Sequence, residues 1–172
     1  MNRPLLNGRL EQALPPVWDA LRPWWDESKR FFGEHGLGDD DAYAMAMTTS
    51  ELLENAVKYG DWKRAPEERV GLVLEVDGRA ATVEVESPVA DDPAALRRLD
   101  DQVQWMRGFQ SPFEAYVERL KQLSSQPYRE GESGLGLLRI AYEARCLVDF
   151  YVTPGRRLAL SAVYQPAGLY AP

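Results

Sequence analysis

From Pro15 to about His35 the apolar residues return close to every 3.6 positions. Val17, Leu21, Trp24, Trp25, Phe31 and Phe32 lie between acidic and basic neighbours, a pattern that predicts an N-terminal helix over about 15–36 with a wide aromatic stripe. The exit is Gly36-Leu37-Gly38. Asp39, Asp40 and Asp41 then offer an N-cap and first-turn negative charge to a second helix ending at Tyr59, where Gly60 suits a left-handed C′ position. Two runs of strand character follow, Arg69 to Val76 and Ala80 to Glu86, with Asp77-Gly78 between them as a type I′ hairpin signal. Pro88 and Pro93 close the second run. Helical patterns return from Ala94 to Arg107, from Pro112 to Leu123 and from Gly134 to Ala144, and Ser124 to Ser133 reads as a flexible loop. The chain finishes on two β-rich runs, Cys146 to Val152 and Leu158 to Tyr164. This order predicts an α/β fold, a two-layer sandwich in which helices cover one face of a mixed, largely antiparallel sheet of about four strands.

Composition narrows the chemistry. A chain of 172 residues buries roughly 70% of its unfolded surface, so a single domain with a real core is expected over 1–172. One cysteine, Cys146, supports neither a disulfide nor a multi-thiolate metal site, and one histidine, His35, removes most histidine-centred catalysis. Both read as structural residues. The formal charge of −7, with scattered lysines and arginines, argues against nucleic acid as a partner. The first residues lack the apolar stretch of a secretion signal and no window is long and apolar enough to span a bilayer, so a cytoplasmic protein without membrane contact is expected.

Two features carry candidate chemistry. On the second helix, 100° steps place Met45, Ala46, Thr49, Leu52, Leu53, Ala56, Val57 and Tyr59 on a core side, and Glu51, Asn55 and Lys58 together on the opposite stripe. A solvated face with an ion pair would use such residues. A site would too: a carboxylate can deprotonate a hydroxyl, an amide oxygen four residues on can bind Mg²⁺, and a lysine one turn further can neutralise phosphate. The second feature is the run Gly131-Glu132-Ser133-Gly134-Leu135-Gly136-Leu137, which reads either as a hinge-like loop or as a backbone nest for an anion. It matches neither phosphate-loop template.

Together, Glu51-Leu52-Leu53-Glu54-Asn55-Ala56-Val57-Lys58-Tyr59 and Gly134-Leu135-Gly136-Leu137 resemble the N box and second glycine box of the GHKL (histidine kinase-like) ATPases. The resemblance spans about residues 40–164. It is most similar to the stand-alone bacterial anti-sigma-factor serine kinases and their partner-switching relatives. It implies a Bergerat-type sandwich, ATP and Mg²⁺ as cofactors, Glu51 as catalytic base, Asn55 as Mg²⁺ ligand, and Lys58, Gly134, Leu135 and Gly136 around the nucleotide phosphates. The 124–133 segment would match the lid, with Arg129 a phosphate contact. The family's Asp-x-Gly-x-Gly is absent: after the second strand the chain reads Glu86-Ser87-Pro88-Val89-Ala90-Asp91-Asp92, and Ser87 stands where the adenine-binding acid should be. The helices between 94 and 123 replace a shorter connection, and Thr153 is a remnant of the Gly-Thr pair expected before the last strand. Two functions follow. One is a bacterial regulator that binds Mg-ATP and acts as a serine/threonine kinase or anti-sigma-type switch on a protein partner, an anti-sigma-antagonist-like domain or a sigma factor. The other is a degenerate module with weak or no nucleotide binding that serves as an interaction scaffold, with Trp18, Trp24, Trp25, Phe31 and Phe32 offering a face for a homodimer or partner beside their ordinary role in the core.

Overall fold

Val70, Leu72, Leu74 and Val76 are buried while the residues between them are half-exposed, so this strand presents one face to a core and the other outward. The computed structural model describes residues 4–127 and 134–166 of the chain. In them the elements run β1 (Gly8–Leu14), α1 (Trp18–Leu21), α2 (Trp24–Glu34), α3 (Asp39–Tyr59), β2 (Val70–Val76), β3 (Ala81–Pro88), α4 (Pro93–Arg107), α5 (Pro112–Ser124), α6 (Gly136–Tyr142), β4 (Cys146–Val152) and β5 (Arg157–Tyr164). The strands form one five-stranded sheet in the order β1-β2-β3-β5-β4, and every neighbouring pair is antiparallel. Helix α3 lies across β2, β3 and β5, with α2 and α6 beside it.

The expected two-layer α/β sandwich is therefore present, with a fifth strand in place of an unassigned N-terminal stretch. Strand β1 is rich in charged and amide residues and lies at the sheet edge, so it lacks the apolar alternation that marks β2 and β3. The predicted first helix is two helices, because Pro23 has no N–H to bond back to Asp19 and begins a new turn as the N-cap of α2. Its rings divide by depth: Phe31 and Phe32 are in the core, Trp24 and Trp25 are half-buried against it, and Trp18 is exposed. Burying a side chain of Phe or Leu size stabilises the fold by about 1.5–3 kcal/mol.

Four local expectations change. Gly38, not an aspartate, is the N-cap of α3, and Asp39, Asp40 and Asp41 occupy its first turn. Gly60 is extended, at φ −66° and ψ 144°, and its lack of a side chain serves packing instead: a Cβ there would lie 2.6 Å from Trp62 Nε1 and 2.7 Å from the Ala56 carbonyl oxygen. Tyr59 is exposed at the end of α3 rather than part of its core side. The β2–β3 connection is a four-residue loop, 77–80, in which Asp77 Oδ1 accepts hydrogen bonds from the backbone N–H of Arg79 and Ala80. Asp77 has no positive φ, so this is an Asx-type turn and not type I′. Among the described residues, no helix is long and apolar enough to cross a membrane.

Candidate functional site

Helix α3 is continuous over 21 residues, which fixes Glu51 and Asn55 one turn apart on the side turned toward α6. Gly134, at φ +60°, takes a backbone conformation that favours glycine, and the chain enters α6 two residues later at Gly136. The two sequence motifs meet here. A Cβ on Gly136 would sit 2.8 Å from Glu51 Oε2 and 3.8 Å from Asn55 Nδ2, so the start of α6 lies close against the carboxylate of α3, with the amide at ordinary contact range.

One turn into α6, Arg139 points back across the same junction. Its Nη1 donates to Glu51 Oε1 at 2.6 Å, while its Nε reaches Glu143 Oε1 at 3.3 Å. The Glu51 side chain is only 20% exposed. Burial raises its pKa above the usual glutamate value, and the Arg139 charge opposes that rise. Burial alone would lower the Arg139 guanidinium, but Glu143 and Glu51 hold it above its ordinary value. Arg139 was not among the residues that the sequence singled out; an arginine three positions after the second glycine was its only signal.

The other predicted residues sit on several elements. Lys58 is exposed on α3 and exerts a weaker pull on the Glu51 charge. Ser87 is buried on the inner face of β3, opposite Leu158 and on the same face as Val85, as its strand register requires. Leu135 is half-buried, and its carbonyl accepts the Arg139 N–H at 2.8 Å. Gly134 is exposed, with its carbonyl accepting from Gln102 Nε2 at 3.2 Å. Thr153 Oγ1 accepts from the Arg157 N–H and holds the β4–β5 turn. Arg129 and most of the predicted lid lie outside the described residues.

Helices α4 and α5 add a wall that the sequence left undefined. A cleft of about 400 Å³ is lined by Asp101, Gln102 and Trp105 of α4, Arg119 and Gln122 of α5, and Gly134 and Leu138. Phe113 and Tyr116 of α5 pack on Tyr142, with ring centroids 5.2 and 5.3 Å apart, and tie this wall to α6. Among the described residues, no group of three or more His, Cys, Asp or Glu side chains converges to hold a metal ion.

No protein-family model matches the chain, and no curated protein matches it. Among solved structures it is similar to a chain of the SiaB–SiaC complex from Pseudomonas aeruginosa, with a TM-score of 0.68, 16% sequence identity, and coverage of 90% of this chain and 88% of that one. The chain shares the fold of a component of that complex.

Proposed function

We propose that this chain is a partner-switching signalling regulator on a GHKL-type scaffold, which binds Mg-ATP where α3 meets the glycine turn before α6 and phosphorylates a serine or threonine on a protein partner. The observation that carries the reading is the close approach of Gly136 to Glu51 and Asn55, which sets an acid and an amide against backbone that has no Cβ in the way. The fold likeness adds support, since the similar chain was solved in a complex of two proteins. Asn55 and the nucleotide's own oxygens would hold Mg²⁺, because among the described residues no carboxylate cluster converges at this junction to do so. The nucleotide supplies the electrophilic phosphorus. Glu51 would accept the proton of the attacking hydroxyl, which requires Arg139 to release the carboxylate first.

A second reading is a scaffold that binds its partner with little use of nucleotide. The Glu51–Arg139 ion pair favours it, because the carboxylate that would act as base is already engaged, and so does the neutral Ser87 in place of a charged adenine acceptor.

Thermal melting with and without Mg-ATP separates the two. Ligand at a hundredfold over its dissociation constant adds about 2.7 kcal/mol of stability. Under the kinase reading the melting temperature rises, Glu51→Ala keeps the rise but loses transfer to the partner, and Asn55→Ala weakens the Mg²⁺-dependent part. No rise at millimolar Mg-ATP leaves the scaffold reading.

A further inference from the structure

Helices α4 and α5 turn polar and aromatic side chains toward each other beside the glycine turn. Asp101, Gln102 and Trp105 lie within about one turn of α4, and Arg119 and Gln122 within one turn of α5, so each helix offers its set on one side. The cleft between them, about 400 Å³, has the size of a small-molecule site. Its walls are anchored. Gln102 Nε2 donates to the Gly134 carbonyl at 3.2 Å, and Phe109 meets the Trp105 ring edge-on with centroids 4.7 Å apart. Arg107, the last residue of α4, pins that helix to the sheet edge: its Nη2 donates to Val148 O at 3.0 Å and lies 3.4 Å from Asp149 Oδ2. On the other wall Arg119 Nη1 donates to Gln122 Oε1 at 3.2 Å. A Cβ on Gly134 would lie 3.2 Å from Arg119 Nη2, 3.4 Å from Nε and 3.6 Å from Cζ, so the guanidinium sits broadside over this glycine.

We infer that this cleft, and not the end of β3, takes the adenine base of the nucleotide. The inference rests on the nucleotide reading above and adds to it where the base lies. Trp105 is half-buried in the cleft wall, and an indole gives a base a face on which to stack. Asp101 supplies the negative charge that Ser87 lacks, so it accepts the exocyclic amino N–H of adenine in a charge-assisted hydrogen bond. The Gln122 amide, which can both donate and accept, serves the ring nitrogens, and Leu138 gives the cleft an apolar side. Ser87, by contrast, is buried opposite Leu158 and does not line this cleft. The phosphates follow from the same arrangement. Gly134 lines the cleft, and Gly136, two residues on, lies against Glu51 and near Asn55. A nucleotide with its base on Trp105 therefore runs its phosphates along the glycine turn, past the Arg119 guanidinium and on toward Asn55. Arg119 neutralises the phosphate nearest the ribose.

Calorimetric titration of the full chain with Mg-ATP and, separately, with Mg-tripolyphosphate tests this, because the second probe keeps the phosphates and has no base. Trp105→Ala is expected to weaken ATP binding roughly 5- to 150-fold, the range for losing one base–aromatic stack. It should leave tripolyphosphate binding as in wild type, which also shows that the variant is folded. Trp105→Phe still stacks, so it should keep most of the ATP affinity while losing the tryptophan quenching that ATP, and not tripolyphosphate, produces in wild type. Asp101→Ala is expected to weaken ATP several-fold and to bind purine riboside triphosphate, which lacks the amino group, as wild type does. Arg119→Gln should weaken both probes. Three results overturn the inference and leave the nucleotide reading standing: Trp105→Ala binding ATP like wild type, Trp105→Ala melting like wild type but losing both probes equally, or Ser87→Ala losing more ATP affinity than Trp105→Ala. A wild-type chain that binds neither probe overturns both.

Discussion

Arg139 Nη1 lies 2.6 Å from Glu51 Oε1, so the glycine-flanked helix α6 answers the principal acid of α3 with a cation. The pair ties together two elements that are 88 residues apart in sequence. Under the kinase reading, Arg139 would have to release Glu51 before that carboxylate could take a proton.

The protonation of Glu51 gives a signed prediction. Burial, the larger influence, lifts its pKa in the folded state, so the fold holds this proton more tightly than the unfolded chain does. That contribution to stability is fully present below the ordinary glutamate pKa and is lost as pH rises through the folded value. In urea denaturation across acid to neutral pH, wild type should therefore lose stability relative to Glu51→Gln as pH climbs. Arg139→Gln, which removes the opposing charge, should extend that loss to higher pH. Parallel curves for wild type and Glu51→Gln would show that the carboxyl is not perturbed.

The two glycines should respond differently to alanine. Gly134→Ala places a Cβ on a residue at φ +60° and should cost roughly 1–2 kcal/mol. Gly136→Ala gains up to about 1 kcal/mol of helix propensity but forces Glu51 Oε2 away, so the net change should stay within about 1 kcal/mol. Its signature is elsewhere: any stabilisation by Mg-ATP should disappear in Gly136→Ala even though the protein melts near the wild-type temperature.

At the end of α3 the Trp62 indole donates to the Ala56 carbonyl at 3.0 Å, over a glycine that leaves no room for a Cβ. Gly60→Ala should cost about 1–3 kcal/mol, since backbone and an indole ring must both shift. The measurement is the urea midpoint, with tryptophan fluorescence reporting the displaced ring. An unchanged midpoint would mean that the 60–62 turn rearranges freely.

Cys146 is 4% exposed, and burial pushes its thiol up to about 12, so almost no thiolate exists at neutral pH. Native protein should resist alkylation by iodoacetamide and react at the rate of an ordinary thiol once unfolded. Fast labelling of the native state would point to frequent opening where β4 packs under α3.

Much of this architecture was legible because its core strands alternate cleanly: β2 reads Val-Gly-Leu-Val-Leu-Glu-Val, and its buried positions are the alternate ones. Helix α3 was legible for the same reason at the helical period, and its ends fell where glycine and acidic residues marked them. What escaped was set by tertiary partners. Strand β1 makes sense only beside β2, where Arg9 pairs with Glu75 across the strands and its inner positions meet Val70 to Val76. Pro23 splits a stripe whose period continues through the break. At the site, the spacing of Glu51 and Asn55 showed that they share a face, and the glycine run showed where backbone could approach, but a counter-charge 88 residues away follows from how α6 docks on α3. Spacing within one helix does not encode that docking.

The hydrogen bond from Arg107 to the Val148 carbonyl covers part of one edge of the sheet. A sheet open at both ends could add copies without limit, in the manner of a fibre. Arg107 already occupies one outward carbonyl of β4, so a chain adding along that edge would first have to displace its guanidinium.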